Sequence, residues 1–231
     1  MKEKDMNNIN NDLIDNPTMR VPVCLCLDTS SSMSEPEEGT TRIDALNEGI
    51  RLFYDAVRED EVARFSVDIA IVKFDSSAEC VSSFSGVGEG YPATLEADGW
   101  TSMGEGVNLA LDLLDKRKQE YKSTGVDYYQ PWLVLMTDGE PNGDAHELKR
   151  AMERCTLLAN NRKLSVFPIL IGRKASIATL ADFSPRRSPI SLKGVKFKEF
   201  FEWLSKSVQA VTRSVPGEKT PSPPVTGWAE L

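Results

Sequence analysis

The stretch "VPVCLCLDTSSSM", residues 21–33, is the one on which the fold of this chain turns. From Val21 to Leu27 it carries no charge, and its apolar residues run on without alternating with polar ones. That is the pattern of a parallel strand covered by helices on both faces. The run then stops on Asp28 and a row of hydroxyls. Asp28, Ser30 and Ser32 occupy alternate positions, which lets three oxygen-bearing side chains converge on one point where the strand ends. Serine and aspartate also favour helix starts and tight loops, so a capped turn is the plain alternative.

Outward from this strand, "PWLVLMT" (131–137) and "LSVFPILIG" (164–172) have the same continuous character. "SVDIAIVKF" (66–74) adds another strand, and the half-polar "ECVSSF" (79–84) a short edge strand near a hairpin. A last short strand is expected around Pro189 to Leu192. Helical spacing fills the intervals, with Ile43, Leu46, Ile50, Phe53, Tyr54 and Val57 marking the first face and Val107, Ala110, Leu111 and Leu114 the second. Leu148, Ala151, Met152, Cys155 and Leu158 mark a third, and Phe197, Phe200, Phe201, Leu204, Val208 and Val211 a last one. The alternation predicts an α/β fold: a doubly wound, Rossmann-like, mostly parallel central sheet with helices on both faces and one short antiparallel edge strand. Ligands of such folds bind at the carboxyl ends of the strands, where Asp28 lies.

The 231 residues, 40% of them hydrophobic, suffice for one core. Residues 19–213 are expected to form the domain. The charged, asparagine-rich segment 1–18 and the proline-rich segment 214–231 are expected to be flexible tails. Lysine and arginine total 27 against 35 aspartates and glutamates, a net charge of -8 with no basic block, which argues against nucleic acid as a partner. No run approaches the roughly 20 apolar residues that span a bilayer, and no signal-peptide pattern is present, so the expectation is a soluble cytoplasmic protein without membrane contact. Cys24, Cys26, Cys80 and Cys155 follow no metal-ribbon spacing. They are read as reduced thiols, with Cys24 and Cys26 on one strand face where bridging is difficult.

Two further segments supply oxygen. Asp138 ends the second buried run in "LVLMTDGEPNGD" (133–144), and Thr101 stands in "DGWTSMGEGVNLAL" (98–111), a loop entering a helix. Two strands that finish on aspartate at the same face are more informative than either alone. Taken singly, Asp138-Gly139 also fits a strand-to-loop turn, and Ser102 with Glu105 fits a capping box. Hydroxyl and carboxylate oxygens suit a hard cation, and magnesium tolerates retained water in its octahedral shell. The single histidine, His146, pairs with no nucleophile and is read as a surface residue.

In this order, "DTSSSM", Thr101 in "GWTSMGEG" and Asp138 in "MTDGEP" resemble the three segments of the metal-ion-dependent adhesion site of von Willebrand factor A domains. The resemblance runs from about Val21 to Arg213. Within that family, "VPVCLCLDTSSSM", "LVLMTDGEP" and "FKEFFEWLSKSV" are most similar to the bacterial TerY-type proteins linked to tellurite-resistance and stress gene clusters. The resemblance implies that Ser30, Ser32 and Thr101 bind a metal directly through their hydroxyls, while Asp28 and Asp138 hold it mainly through ordered water. It implies magnesium, with manganese or calcium as substitutes, and an open position that takes a glutamate or aspartate side chain of another protein. A kinase or phosphatase-like protein of the same gene cluster, in a bacterial stress or defence system, is the partner implied. The chain departs from the family at Trp100, where glycine is common. That tryptophan would cover the metal, touch the partner or pack under the loop.

The strand ends carry no recognisable base, nucleophile or phosphate loop, and "GVGEG" (86–90) precedes a loop instead of a helix. The reading is therefore a non-enzymatic, metal-dependent interaction module. Its alternative is a metal-dependent phosphatase of the haloacid-dehalogenase kind, with Asp28 attacking phosphate. Such enzymes need a second acid two positions on, where Ser30 stands. A phospho-acceptor receiver domain ranks third: Arg173 and Lys174 follow a late strand, but paired acids before Asp28 are missing.

Overall fold

The computed structural model describes residues 18–88, 90–172, 177–214, 223–225 and 227–230, together with Leu13 and Asn16. In chain order, β1 (Val21–Asp28) runs through a 3-10 turn over Ser31–Ser34 into a small hairpin, β2 (Pro36–Glu37) and β3 (Thr40–Thr41). Then come α1 (Arg42–Glu59), the short α2 (Ala63–Ser66), β4 (Val67–Phe74), β5 (Ala78–Gly86) and α3 (Met103–Thr124). The rest is β6 (Trp132–Thr137), α4 (Ala145–Asn160), β7 (Ser165–Leu170), α5 (Ile177–Ala181), β8 (Ile190–Leu192), α6 (Phe197–Thr212) and β9 (Ala229–Glu230).

The main sheet has the order β5-β4-β1-β6-β7-β8-β9. β1 pairs in parallel with β4 and β6, and the parallel pairing continues through β7 to β8. The expected doubly wound, mostly parallel sheet is therefore present. Its antiparallel part is larger than one short strand: β5 spans nine residues against β4, and β9 closes the opposite edge against β8.

Strand alternation sorts the side chains into two cores. Val21, Val23, Leu25 and Leu27 of β1 face the layer formed by α1 and α6, with Phe53, Phe201 and Leu204 among their neighbours. Cys24 and Cys26 face the layer of α3 and α4 with Val107, Leu111 and Cys155. All four cysteines are free, and burial pushes the thiols of Cys24, Cys26 and Cys155 up, which keeps them as small neutral apolar groups.

Because the chain leaves β1 toward β4 on one side and later returns to β6 on the other, the switch in winding falls at β1. Its carboxyl end therefore opens into the crevice where α/β sheets place their sites. At the amino end of β4 a different cluster holds the layers together. Buried Asp68 accepts from Arg20 (3.0 Å), from Arg117 (2.7 and 3.1 Å) and from the Tyr121 hydroxyl (2.5 Å).

Described parts of both segments expected as tails make contacts with the domain. Leu13 is buried against Tyr121 and Val126, and Asn16 donates to the Phe65 carbonyl at 3.0 Å. Residues 1–12, 14, 15 and 17 lie outside the described residues. Of residues 214–231, expected to form a flexible tail, residues 223–225 and 227–230 lie against the domain. Trp228 is buried against Phe200 and Trp203, with ring centroids at 5.9 and 5.8 Å. The Trp203 indole donates to the Pro223 carbonyl at 2.7 Å, and Ala229–Glu230 add a strand to β8. The one aromatic anchor, Trp228, outweighs the lack of periodicity, because one buried tryptophan offsets the ordering of several backbone residues. Trp228→Ala is expected to destabilise the domain by about 3 kcal/mol, measured by chemical denaturation, and cutting the chain after Arg213 should cost at least as much.

Candidate metal centre

The site is built on the end of β1. Asp28 is fully buried. Its Oδ1 accepts the Ser30 N–H at 2.8 Å, and its Oδ2 accepts the Thr137 hydroxyl at 2.5 Å. The parallel register that sets Leu27 opposite Met136 brings Thr137, the last residue of β6, alongside Asp28.

After Asp28 the chain turns through Ser31–Ser34, pinned by fully buried Met33. Ser30 stands at the N-cap but makes no capping hydrogen bond, so the capped-turn reading does not use its hydroxyl. Its Oγ lies 3.2 Å from Ser32 Oγ instead. Ser31 points the other way and donates to the Gly99 carbonyl at 3.1 Å, tying this turn to the loop that carries Thr101.

Asp138, the first residue after β6, is also fully buried. Its Oδ1 accepts from Ser32 Oγ at 2.6 Å and its Oδ2 from the Arg42 guanidinium at 2.7 Å. Arg42 further donates to Glu37 at 2.9 Å and to Glu35 at 3.4 Å, both from the hairpin region. Arg42 escaped the sequence reading. Its signal was a cation at the first position of a helix, where the helix dipole disfavours positive charge and only nearby carboxylates make it acceptable.

Thr101 reaches the same point from the α3 side. Its N–H donates to Asn142 Oδ1 at 2.8 Å, and the Asn142 N–H returns to the Thr101 carbonyl at 3.2 Å. Asn142 was also missed by sequence reading, where it passed for an ordinary turn residue. Gly104 and Gly106 make the close approach possible. A Cβ at Gly104 would lie 2.4 Å from the Leu148 backbone, and one at Gly106 2.7 Å from the Phe74 ring. Thr101 Oγ1 lies beside Gly139, 3.7 Å from where a Cβ would sit. The expected capping box does not form, because Ser102 makes no side-chain cap and its N–H is engaged by the Asp75 carbonyl at 2.8 Å. Trp100 is 68% exposed, so it does not pack under the loop. His146 is exposed, and its backbone N–H is bound by Asp144.

The structure thus brings Asp28, Ser30, Ser32 and Asp138 into one hydrogen-bonded group, with Thr101 across Gly139. The donor set is hydroxyl and carboxylate oxygen only. The 3.2 Å between the two serine oxygens is close to the roughly 3.0 Å that separates adjacent ligands of an octahedral magnesium bound at about 2.1 Å. Among the described residues no cluster of three or more His, Cys, Asp or Glu side chains is placed to hold a metal. A hard cation bound through hydroxyls fits what is present.

A parallel sheet with helices on both faces and an oxygen-lined crevice at its switch point defines a doubly wound α/β domain. The chain belongs to the von Willebrand factor type A domain family, whose profile matches residues 23–141. Its fold is similar to that of a von Willebrand factor type A protein from Catenulispora acidiphila, with 18% identity over 84% of this chain and 43% of the other and a TM-score of 0.65. It is also similar to proximal thread matrix protein 1 of the mussel byssus with a zinc-occupied metal-ion-dependent adhesion site, with 16% identity, 83% and 48% coverage and a TM-score of 0.51. The manganese-loaded TRAP protein of Plasmodium vivax gives 21% identity, 73% and 63% coverage and a TM-score of 0.51. The chain thus spans about half the length of these neighbours. A search of curated protein sequences finds no match.

Burial pushes the Asp28 carboxyl up to about 6; the hydrogen bonds from Ser30 and Thr137 pull it back, and the neighbouring Asp138 charge adds to the rise. In the metal-free protein the folded state therefore holds a proton that the unfolded chain releases near 3.8. Stability contributed by this group is lost as pH rises from about 4 to about 6, by about 3 kcal/mol in all. Asp28→Asn is expected to remove that slope and to raise metal-free stability at pH 8 by about 1–2 kcal/mol, the Thr137 hydroxyl turning to the Gly139 carbonyl 3.2 Å away. Denaturation midpoints from pH 4 to 8 in chelator check this.

Proposed function

We propose that the chain is a non-enzymatic, TerY-type interaction module that holds a divalent cation at Asp28, Ser30, Ser32, Thr101 and Asp138. Magnesium is the ion proposed, with manganese or calcium able to replace it. The observation that carries the reading is the direction of the Ser32 hydroxyl. Its proton is committed to Asp138 at 2.6 Å, so its lone pairs are left for a cation beside Ser30 Oγ. Two of the structural neighbours carry zinc or manganese, which supports a divalent ion in this fold.

When bound, such an ion supplies a Lewis-acidic position for an anionic oxygen. The rest is done by the chain. Ser30, Ser32 and Thr101 offer neutral oxygens, which leave positive charge uncancelled. Asp28 and Asp138, each held by its own donors, accept hydrogen bonds from metal-bound water. Trp100, exposed next to Thr101, offers an aromatic anchor to whatever approaches. The natural occupant of the open position is an aspartate or glutamate side chain of a partner protein, and the TerY resemblance directs attention to a kinase or phosphatase-like partner in a bacterial stress, tellurite-resistance or defence system. The cytoplasm is the compartment proposed, supported by the buried reduced thiols.

The phosphatase alternative is weaker at one position. Ser30, two residues after Asp28, gives that carboxylate a backbone N–H and stands where a proton-transferring acid would be needed. For the receiver alternative, Arg173 and Lys174 lie outside the described residues.

Pulldown from a lysate of the source cell, with magnesium and with chelator, tests the proposal. A partner retained only with magnesium and lost with Thr101→Ala, whose metal-free melting temperature stays within about 2 °C of wild type, is the expected result. Equal retention in all four conditions would remove the metal from the interaction. Phosphate-ester turnover that vanishes in Asp28→Asn would favour the phosphatase.

A further inference from the structure

We infer that Arg42 is a positioning residue which keeps Asp138 out of direct contact with the metal and so keeps the open position electrophilic; this rests on the metal reading above. Asp138 has two oxygens, and both are already spoken for. Oδ1 takes the Ser32 hydroxyl at 2.6 Å and Oδ2 takes the Arg42 guanidinium at 2.7 Å, with the carboxylate fully buried. Each oxygen keeps a lone pair that can accept from metal-bound water where the carboxylate stands, but moving either oxygen the further distance onto a cation would strain or break the hydrogen bond that holds it. Both bonds are charge-assisted, but only the one to Arg42 joins two ionised groups, so it costs more to lose.

Arg42 cannot follow a moving carboxylate. Its Nε is held by Glu37 at 2.9 Å, and the same terminal nitrogen that reaches Asp138 also meets Glu35 at 3.4 Å and the Ser32 carbonyl at 3.5 Å. Its other terminal nitrogen lies 3.1 Å from the Cβ position of Gly172, where any larger residue would crowd it. The guanidinium is about 10% exposed and sits at the amino end of α1, a fixed cation among fixed carboxylates. Two consequences follow for the ion. Its direct ligands remain neutral hydroxyls and water. The positive charge of Arg42 also lowers the affinity of the site for the cation itself. The chain thereby holds its metal less tightly and leaves the ion a stronger acceptor for a partner's carboxylate.

The probe is manganese alone. Wild type is expected to bind it with Asp138 in the outer sphere, and Thr101→Ala to weaken that binding. In Arg42→Gln, Asp138 is freed to coordinate directly. Manganese affinity, read by electron paramagnetic resonance, should then rise on the order of tenfold. Water-proton relaxation should show one fewer water on the bound ion. The manganese-induced rise in melting temperature should exceed that of wild type, even if the metal-free variant melts lower. Arg42→Lys, which keeps the charge on Asp138, should stay near the wild-type affinity and hydration. Unchanged or weaker binding by Arg42→Gln with the same hydration would overturn the role of Arg42 while leaving the metal site standing. Absence of manganese binding in wild type would overturn the site and the Arg42 role together.

Discussion

A carboxylate without access to water must find its hydrogen-bond donors inside the protein, and Asp28 is such a group. Its two oxygens take one donor from its own turn, the Ser30 N–H, and one from the neighbouring strand, the Thr137 hydroxyl. The first bond forces the chain to turn immediately after β1. The second requires β1 and β6 to end at the same level, which the parallel pairing of Val23 through Leu27 with Trp132 through Met136 secures. Everything else at this end of the sheet is built around those two requirements.

The loops that close over the strand ends are held by polar side chains as well as by the burial of Met33 and Leu95. Arg42 ties the hairpin, the Ser32 carbonyl and Asp138 into one charged unit. Asn142 and Thr101 exchange two hydrogen bonds and so fasten the β6 loop to the loop before α3. Beneath them, α3 can lie close to β4 and α4 only because Gly104 and Gly106 have no side chains to hold it off. The result is an oxygen-lined crevice whose bordering loops are cross-tied by hydrogen bonds.

At the opposite end of the sheet the same economy appears in a structural role. Asp68 binds Arg20, Arg117 and Tyr121 in a buried network that joins β4 to α3 and to the segment before β1. The far edge is closed by the chain's own C-terminal segment, whose Trp228 joins Phe200 and Trp203 of α6. Closing that edge leaves β8 without a free row of backbone donors and acceptors, the feature that otherwise invites edge-to-edge association.

The sequence by itself determined the α/β class, the strands from Val21, Val67, Trp132 and Ser165, the four long helices, and the candidate oxygens of Asp28, Ser30, Ser32, Thr101 and Asp138. These were legible because continuous apolar runs, helical spacing and strand-terminal carboxylates are local signals, each contained within about fifteen residues. What only the tertiary structure decided is which groups answer those carboxylates. Arg42 lies 96 positions from Asp138, Thr137 lies 109 from Asp28 and Asn142 lies 41 from Thr101, and no periodicity links such pairs. The docking of Trp228 was hidden for the same reason: a short polar, proline-rich segment has no amphipathic pattern of its own, and its place comes from an aromatic pocket on α6 and from pairing with β8, both elsewhere in the chain. Hydrogen-bond partners and pockets are properties of surfaces brought together by folding, so residue type alone announces the demand and the fold alone supplies the answer.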